Sequence, residues 1–315
     1  MANHCDTIQL DFHPLSVGDK LAVQQITLAA GRRNCNFTFA NLVGWRFWFN
    51  TEVCVLKDAV VLRFNIEGRR AYLLCSPKPP SLEVLRSLSR DASEVGCGLT
   101  LMGQEDSHAA HIQTLLPDAV VAPQRDRYDY IYLRQELAEM RGKRLKPKRN
   151  HVNKFVAEHP DFQYVELSPA LFDECRSLAA VWRGEVSREN PSYGSMVAAE
   201  QRAMEVVFSH WDELDMRGGC IYAGGRMVAF TYGAAVTYDT FDICVEKADR
   251  TIDGAFNIIN QQFAAHLPEQ YIYINREEDM GLEGLRKSKL SYHPHILLSY
   301  NIVDIPCPQT TPYSE

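Results

Sequence analysis

The apolar positions of this chain form two successive runs of short periodic segments. Near the start, Leu21, Ile26 and Leu28 read as the core face of a helix. Phe37, Phe39, Trp45, Phe47, Trp48 and Phe49 then form an aromatic stretch expected in a core. Three extended runs follow at 53–56, 60–65 and 71–75, and Glu67-Gly68-Arg69 reads as a hairpin turn between the last two. A helix over 82–95, a strand at 99–102, a helix over 107–116 and a strand at 128–133 complete the first half. The second half repeats this order. A strand at 162–167 precedes a helix over 169–184. A longer helix over 195–214 carries Met196, Ala203, Met204, Val207, Phe208, Trp211 and Leu214 at helical spacing. Strands follow at 220–223, 227–235 and 240–246, with Gly224-Gly225 as the turn between the first two. Helix 253–267 places Ala255, Phe256, Ile259, Phe263 and Leu267 on one stripe. A strand at 271–275, a helix over 282–289 and a strand over 296–303 end the pattern.

Each half thus reads as helices, three meandering strands, then helix, strand, helix, strand. A chain of 315 residues has room for roughly two domains of ~150 residues. Its 46% hydrophobic and 23% charged content suits a full core and argues against disorder or a coiled coil. No run approaches the ~18 apolar residues of a membrane span, so no integral membrane association is expected. The start, Met-Ala-Asn-His-Cys-Asp, lacks a basic, apolar leader. Nine scattered cysteines without a CxxC pair read as reduced thiols of a cytoplasmic protein. The pairs His108 with His111 and His293 with His295 bring no further ligands, so no metal is expected.

Charge changes the picture at one place. Residues 141–154 hold seven Lys/Arg and no Asp/Glu, in a chain of net charge -7. Affinity for a polyanion would therefore concentrate there, through Lys143, Arg144, Lys148, Arg149 and His151. The alternative is a solvated linker. Pro147 disfavours helix at Lys146, so a helix is expected to start only after the proline.

Three segments together carry a resemblance: Gly-Lys-Arg-Leu-Lys-Pro-Lys-Arg-Asn-His-Val-Asn-Lys-Phe at 142–155, Val-Glu-Lys-Ala-Asp at 245–249, and Ile-Asn-Arg-Glu-Glu-Asp-Met-Gly-Leu-Glu-Gly-Leu-Arg-Lys-Ser-Lys-Leu-Ser-Tyr-His-Pro at 274–294. The chain resembles the DUF2156 proteins, which are related to the C-terminal domain of phosphatidylglycerol lysyltransferase and more distantly to the FemABX peptidyltransferases. The resemblance implies an α+β fold of tandem GNAT-like (acyl-CoA N-acyltransferase-like) domains, each a mixed sheet flanked by helices, and an acyl or aminoacyl transfer. The expected division is an N-terminal domain over 1–140, acceptor-binding or structural, a basic junction over 141–160, a catalytic domain over 161–305 and a Pro-rich tail over 306–315.

Site candidates lie in the second half. A GNAT-type site holds donor phosphates on backbone N–H groups where a loop opens a helix. Arg250-Thr251-Ile252-Asp253-Gly254-Ala255 fits as a degenerate form of that loop, making Arg250, Asp253, Gly254 and Ala255 donor-binding candidates. Asp253 as a simple helix cap is the alternative. The corresponding stretch of the first half, Ser76-Pro77-Lys78-Pro79-Pro80-Ser81, lacks three N–H donors. Glu246 at a strand end and Glu277 after the next strand are candidate bases. Asn275, Arg276 and Asp279 would line a polar acceptor cleft, with the local carboxylates recognising a cationic acceptor or donor head. Arg286 and Lys289 share a helix face and would hold the donor or an oxyanion. Tyr292 would protonate the leaving group. No cysteine or serine sits in a nucleophile-elbow pattern, so transfer is expected to be direct.

The expected function is transfer from acyl-CoA or aminoacyl-tRNA, as donor substrate, to an amine or hydroxyl of a small-molecule or peptide acceptor. The partner would then include a tRNA if the donor is aminoacyl-tRNA. The alternative is a non-catalytic GNAT-like binding protein for a nucleic acid or anionic surface. The first reading expects one deep cleft lined by Glu246, Asn275, Glu277 and Tyr292.

Overall fold

The computed structural model describes residues 8–66, 68–189 and 194–307. In chain order the elements of the first part are β1 (His13–Pro14), α1 (Lys20–Ala30), α2 (Phe39–Phe49), β2 (Glu52–Val55), β3 (Val60–Ile66) and β4 (Arg69–Cys75). Then come α3 (Leu82–Ser93), β5 (Leu99–Gln104), α4 (Asp106–Leu115), β6 (Val120–Pro123), β7 (Asp129–Leu133) and α5 (Arg134–Glu139). The middle holds α6 (Lys146–Glu158), β8 (Gln163–Glu166), α7 (Phe172–Glu189), α8 (Gly194–Ser209), β9 (Arg217–Ala223) and β10 (Arg226–Ala235). The rest is β11 (Thr240–Ala248), α9 (Ala255–His266), β12 (Tyr273–Asn275), α10 (Glu283–Leu290), β13 (Ile296–Leu298) and β14 (Asn301–Ile305).

The chain divides into two compact units, and the division is interlaced. One unit takes the residues up to Arg32, Arg46–Arg125 and those from Ser299 onward; the other takes Arg33–Trp45 and Asp126–Leu298. This replaces the expected split into 1–140 and 161–305. The physical reason is the pairing of two strands. The run 296–303, expected as one strand, breaks at Ser299-Tyr300. Its first piece, β13, pairs with β7, and its second, β14, inserts between β5 and β6. Strand β7, from the first half of the sequence, lies between β13 and β12.

The sheet of the first unit runs β1-β2-β3-β4-β5-β14-β6, with β4 and β5 parallel. Its core gathers Val61, Tyr72, Leu74, Leu85, Leu88, Leu101, Ile112 and Val303. The sheet of the second unit runs β13-β7-β12-β11-β10-β9-β8, with β11 and β12 parallel. Tyr130, Tyr132, Phe155, Ile221, Phe241, Ile258, Ile259 and Phe263 are central to its core. Each sheet is mixed, as expected.

Several local expectations change. The buried positions of α1 are Val23 and Thr27, whereas Leu21 is 83% exposed. In the aromatic stretch Phe37 and Phe39 are buried, but Trp48 is 45% exposed. Helix α6 starts at Lys146, one residue before Pro147. The proline sits in the first turn, where helix N–H groups have no intrahelical partner and its missing donor costs nothing. Gly224 and Gly225 make the β9–β10 turn with φ of 57° and 74°. Glu67 of the other expected turn, and residues 308–315 of the expected tail, lie outside the described residues. Among the described residues no helix is long and apolar enough to cross a membrane.

Candidate functional site

The second unit's sheet opens at its parallel pair. Strands β11 and β12 are paired only from Thr240–Tyr273 to Asp242–Asn275. Beyond that β12 has ended, while β11 runs on to Ala248. Strand β11 also carries a bulge: Val245 faces Tyr232 and Ile243 faces Gly233, so Cys244 has no partner on β10. A bulge re-aims the side chains beyond it. A Cβ built on Gly233 would lie 1.8 Å from the Asp242 carbonyl oxygen, so the close approach there requires glycine.

Four carboxylates meet beside this opening. Asp129 comes from β7, Asp242 from β11, and Glu277 and Glu278 from the loop after β12. Asp129 Oδ2 accepts from Cys35 N at 2.7 Å and Asn275 Nδ2 at 2.8 Å. Asp242 Oδ2 accepts from Thr38 Oγ1 at 2.7 Å and Asn41 Nδ2 at 3.1 Å. Asn41 Nδ2 also reaches Glu277 Oε1 at 2.8 Å. Asp242 Oδ1 is buried with no hydrogen-bond partner. Burial, followed by repulsion from Glu278, raises the Asp129 carboxyl from its ordinary 3.8 to about 7. Burial and neighbouring carboxylates likewise push Asp242 and Glu277 well above the usual carboxylate range.

The Lys289 ammonium acts on this cluster through space, without a hydrogen bond to its carboxylates. Lys289 Nζ is turned to backbone carbonyls, at 2.6 Å from Arg276 O and 3.1 Å from Glu277 O, and it also donates to Glu278 O. It thereby holds the loop in which Glu277 adopts φ +55°. Asn275 Oδ1 accepts from Glu277 N at 2.7 Å and closes the same turn. Successive side chains of this loop leave in opposite directions: Arg276 to Glu246, Glu277 to Asn41.

Held protons are what relieves the repulsion among these carboxyl groups. Two triads bring donor atoms within 4.8 Å of one another: Cys35, Asp129 and Glu278, and Asp242, Cys244 and Glu277. Burial holds both thiols well above their ordinary value.

The other side of the loop is cationic. Arg276 Nη2 donates to Glu246 Oε1 at 2.7 Å, and its guanidinium lies 5.0 Å from the Tyr292 ring centroid. Tyr292 is buried, accepts from Asn257 Nδ2 at 2.5 Å, and has its hydroxyl pushed up to about 12, chiefly by burial. Glu246 and Tyr292 thus lie with Arg276, while Glu277 and Asn275 lie with the carboxylates. The four do not line one common cleft, because the loop backbone runs between the two groups.

The remaining candidates have local partners. Asp279 is buried and accepts from Tyr130 Oη at 2.6 Å and from Arg286 Nε at 2.9 Å, which hold it far below the usual carboxylate range. Arg286 also reaches Asp126 at 2.6 Å. Arg286 and Lys289 therefore serve different partners despite sharing a helix. Asp253 does not cap α9; it pairs with Lys154 at 2.7 Å and His151 at 3.1 Å. Gly254 takes the cap position with φ +82°, and a Cβ there would lie 2.6 Å from His151 O. Ala255 is buried and Arg250 exposed. In the first unit, Ser81 of the triple-proline stretch caps α3.

In the basic segment Lys143 and Arg144 are exposed. Arg149 instead donates to Met140 O at 2.6 Å, and Lys148 places its ammonium 4.4 Å from the Tyr292 ring centroid. A cavity of about 580 Å³ is lined in part by Arg134, Arg141, Lys143, Arg144 and His293; it touches none of Glu246, Asn275, Glu277 or Tyr292.

Residues 29–303 match the family model for phosphatidylglycerol lysyltransferase, C-terminal, and the chain belongs to that family. A conserved protein of unknown function from Bacteroides thetaiotaomicron is 36% identical, with TM-score 0.90 over 94% of this chain and 100% of its own. The L-PGS of Bacillus licheniformis is 12% identical with TM-score 0.64, covering 97% of this chain and 96% of its own. A tandem GNAT protein from the clavulanic acid biosynthesis pathway is 11% identical with TM-score 0.51, covering 95% and 99%. These last two show the fold, which is α+β and tandem GNAT-like. An uncharacterized protein of Mycoplasmoides gallisepticum is 20% identical over 181 residues, 57% of this chain and 56% of that protein. The match therefore spans about half the length of that curated relative. The family is that of the lysyltransferase C-terminal domain, and the fold is that of tandem GNAT-like proteins.

Proposed function

We propose that this protein transfers an acyl or aminoacyl group directly from acyl-CoA or aminoacyl-tRNA to an amine or hydroxyl acceptor. The observation that carries the reading is the parting of β11 and β12 beside buried Asp242 and half-buried Glu277. A cationic group of the acceptor or donor, seated among Asp129, Asp242, Glu277 and Glu278, offsets their repulsion and lets Glu277 ionise. Glu277 then takes the proton of the attacking amine or hydroxyl as the new bond to the acyl carbon forms. The old ester or thioester bond breaks, its electron pair leaves with the oxygen or sulfur, and that leaving atom takes the proton Glu277 has received. Exposed Lys143 and Arg144 offer non-specific contacts to a polyanionic donor.

Native mass spectrometry of protein purified without affinity elution tests the donor by seeking bound CoA species or tRNA. The donor found is then assayed with amine and hydroxyl acceptors. Glu277→Gln should lower kcat by ~10²–10⁴-fold. Lys143→Ala with Arg144→Ala should flatten the salt dependence of polyanion binding by up to ~0.9 in log–log slope for each duplex phosphate no longer neutralised. Full activity in Glu277→Gln removes this base, and absence of transfer from either donor class favours a binding protein of the same fold.

A further inference from the structure

Two cations converge on one tyrosine ring where a single carboxylate answers them. The Arg276 guanidinium lies 5.0 Å and the Lys148 ammonium 4.4 Å from the Tyr292 ring centroid. Glu246 takes Arg276 Nη2 at 2.7 Å. Arg276 Nη1 is buried and has no hydrogen-bond partner. Lys148 forms no ion pair among the described residues, and burial together with the nearby Arg276 lowers its pKa. Asn260, 4% exposed, leaves its Oδ1 unpartnered too, while its amide lies 3.5 Å from Glu246 Oε2. Two like charges held together in a half-buried place with one paired carboxylate repel, and a buried N–H donor without an acceptor is unfavourable. Both costs fall if an anion occupies the place.

We infer that Arg276 and Lys148 form a side-chain subsite for the phosphate of a nucleotide-type ligand. One oxygen would accept from Arg276 Nη1, and a second would meet the Lys148 ammonium. The two cations come from different elements, the loop after β12 and helix α6, so a tetrahedral oxyanion suits them better than a flat carboxylate. A hydroxyl beside that phosphate would donate to Asn260 Oδ1, which points to a sugar phosphate rather than free phosphate. This assigns Lys148 a role apart from its exposed neighbours Lys143 and Arg144. The naming of the ligand as the donor's phosphate rests on the transfer reading above; the binding itself does not.

Isothermal titration with inorganic phosphate, AMP, CoA and a CCA trinucleotide tests this on the full chain. Lys148→Met, which keeps an apolar stem over Tyr292, should weaken AMP binding by roughly tenfold or more. The double variant Lys143→Ala, Arg144→Ala should change it far less. Tighter binding of CoA or of the trinucleotide than of AMP supports the subsite and names its source. No AMP binding to the unaltered protein overturns the inference, as does equal binding by Lys148→Met or an equal loss in the double variant. A protein that transfers acyl groups without Lys148-dependent phosphate binding sinks this inference alone. One that binds AMP through Lys148 but transfers nothing sinks the transfer reading alone.

Discussion

Asp129 is a carboxylate at the first position of an otherwise apolar strand, Asp-Tyr-Ile-Tyr-Leu, with no exposed surface. Its carboxyl sits at about 7 against an ordinary 3.8, so the native state keeps a proton that the unfolded chain has released. The sign follows: stability falls as pH rises through the interval from 3.8 to about 7, then levels off. Asp129→Asn removes that contribution. Urea denaturation of both proteins between pH 4.5 and 8 should show the variant gaining on the parent as pH rises, by an amount on the order of 3 kcal/mol. Parallel curves would mean that Asp129 ionises alike in both states. The residue also shows where reading by charge density fails. Glu277 stands in a visible run of charge after a strand, and is legible there. Asp242 stands between Phe241 and Ile243 inside a buried strand, and that isolation is the signal that could reveal it, whereas Asp129 follows the charged run Arg125-Asp126-Arg127 and is masked by it. Cys35, Thr38 and Asn41 approach from a distant stretch of sequence, which no spacing rule reaches.

Helices α6 and α9 meet at a glycine. A Cβ on Gly254 would press on His151 O at 2.6 Å and Phe155 Cβ at 3.0 Å, and its φ of +82° disfavours any other residue. Gly254→Ala should therefore destabilise by roughly 2 kcal/mol and loosen the seating of the basic helix. Gly284, in the first turn of α10, has nothing within 4 Å of a built Cβ. Gly284→Ala should be neutral or stabilising by up to ~1 kcal/mol. Chemical denaturation distinguishes them, and similar losses in both would refute the packing argument. In the sequence Gly254 reads as a phosphate-loop residue, whereas the structure uses it for close helix packing. Element existence is otherwise well marked by periodicity. Boundaries are lost where pattern and pairing diverge. Ile-Leu-Leu-Ser-Tyr-Asn-Ile-Val carries no glycine or proline, so nothing in it announces that β13 and β14 belong to different sheets. β6, at a sheet edge with exposed Val120, lacks the continuous apolar run that marks a buried strand.

At the scale of the molecule, the repeated order of elements foretells two mixed sheets, but sequence order cannot show that each unit borrows a strand from the far side of the chain. That exchange makes fragments informative. A piece spanning 141–315 lacks β7, which sits between β13 and β12 and supplies Tyr130 and Tyr132 to the core. Without it, β12 loses one neighbour and β13 its only one, and two fully buried aromatic side chains are missing. This piece should fail to give a cooperative unfolding transition, because large core deletions exceed the ~5–15 kcal/mol that holds a typical domain together. Ending the chain after Leu298 is a different lesion. It removes β14 from between β5 and β6 while leaving all seven strands of the second unit in place. Hydrogen exchange on that truncated chain should show lost protection in β5 and β6 and retained protection in β9, β10 and β11. A cooperatively folding 141–315 fragment, or uniform loss of protection after truncation at 298, would mean that the interlaced pairing does not govern how the two units hold together internally.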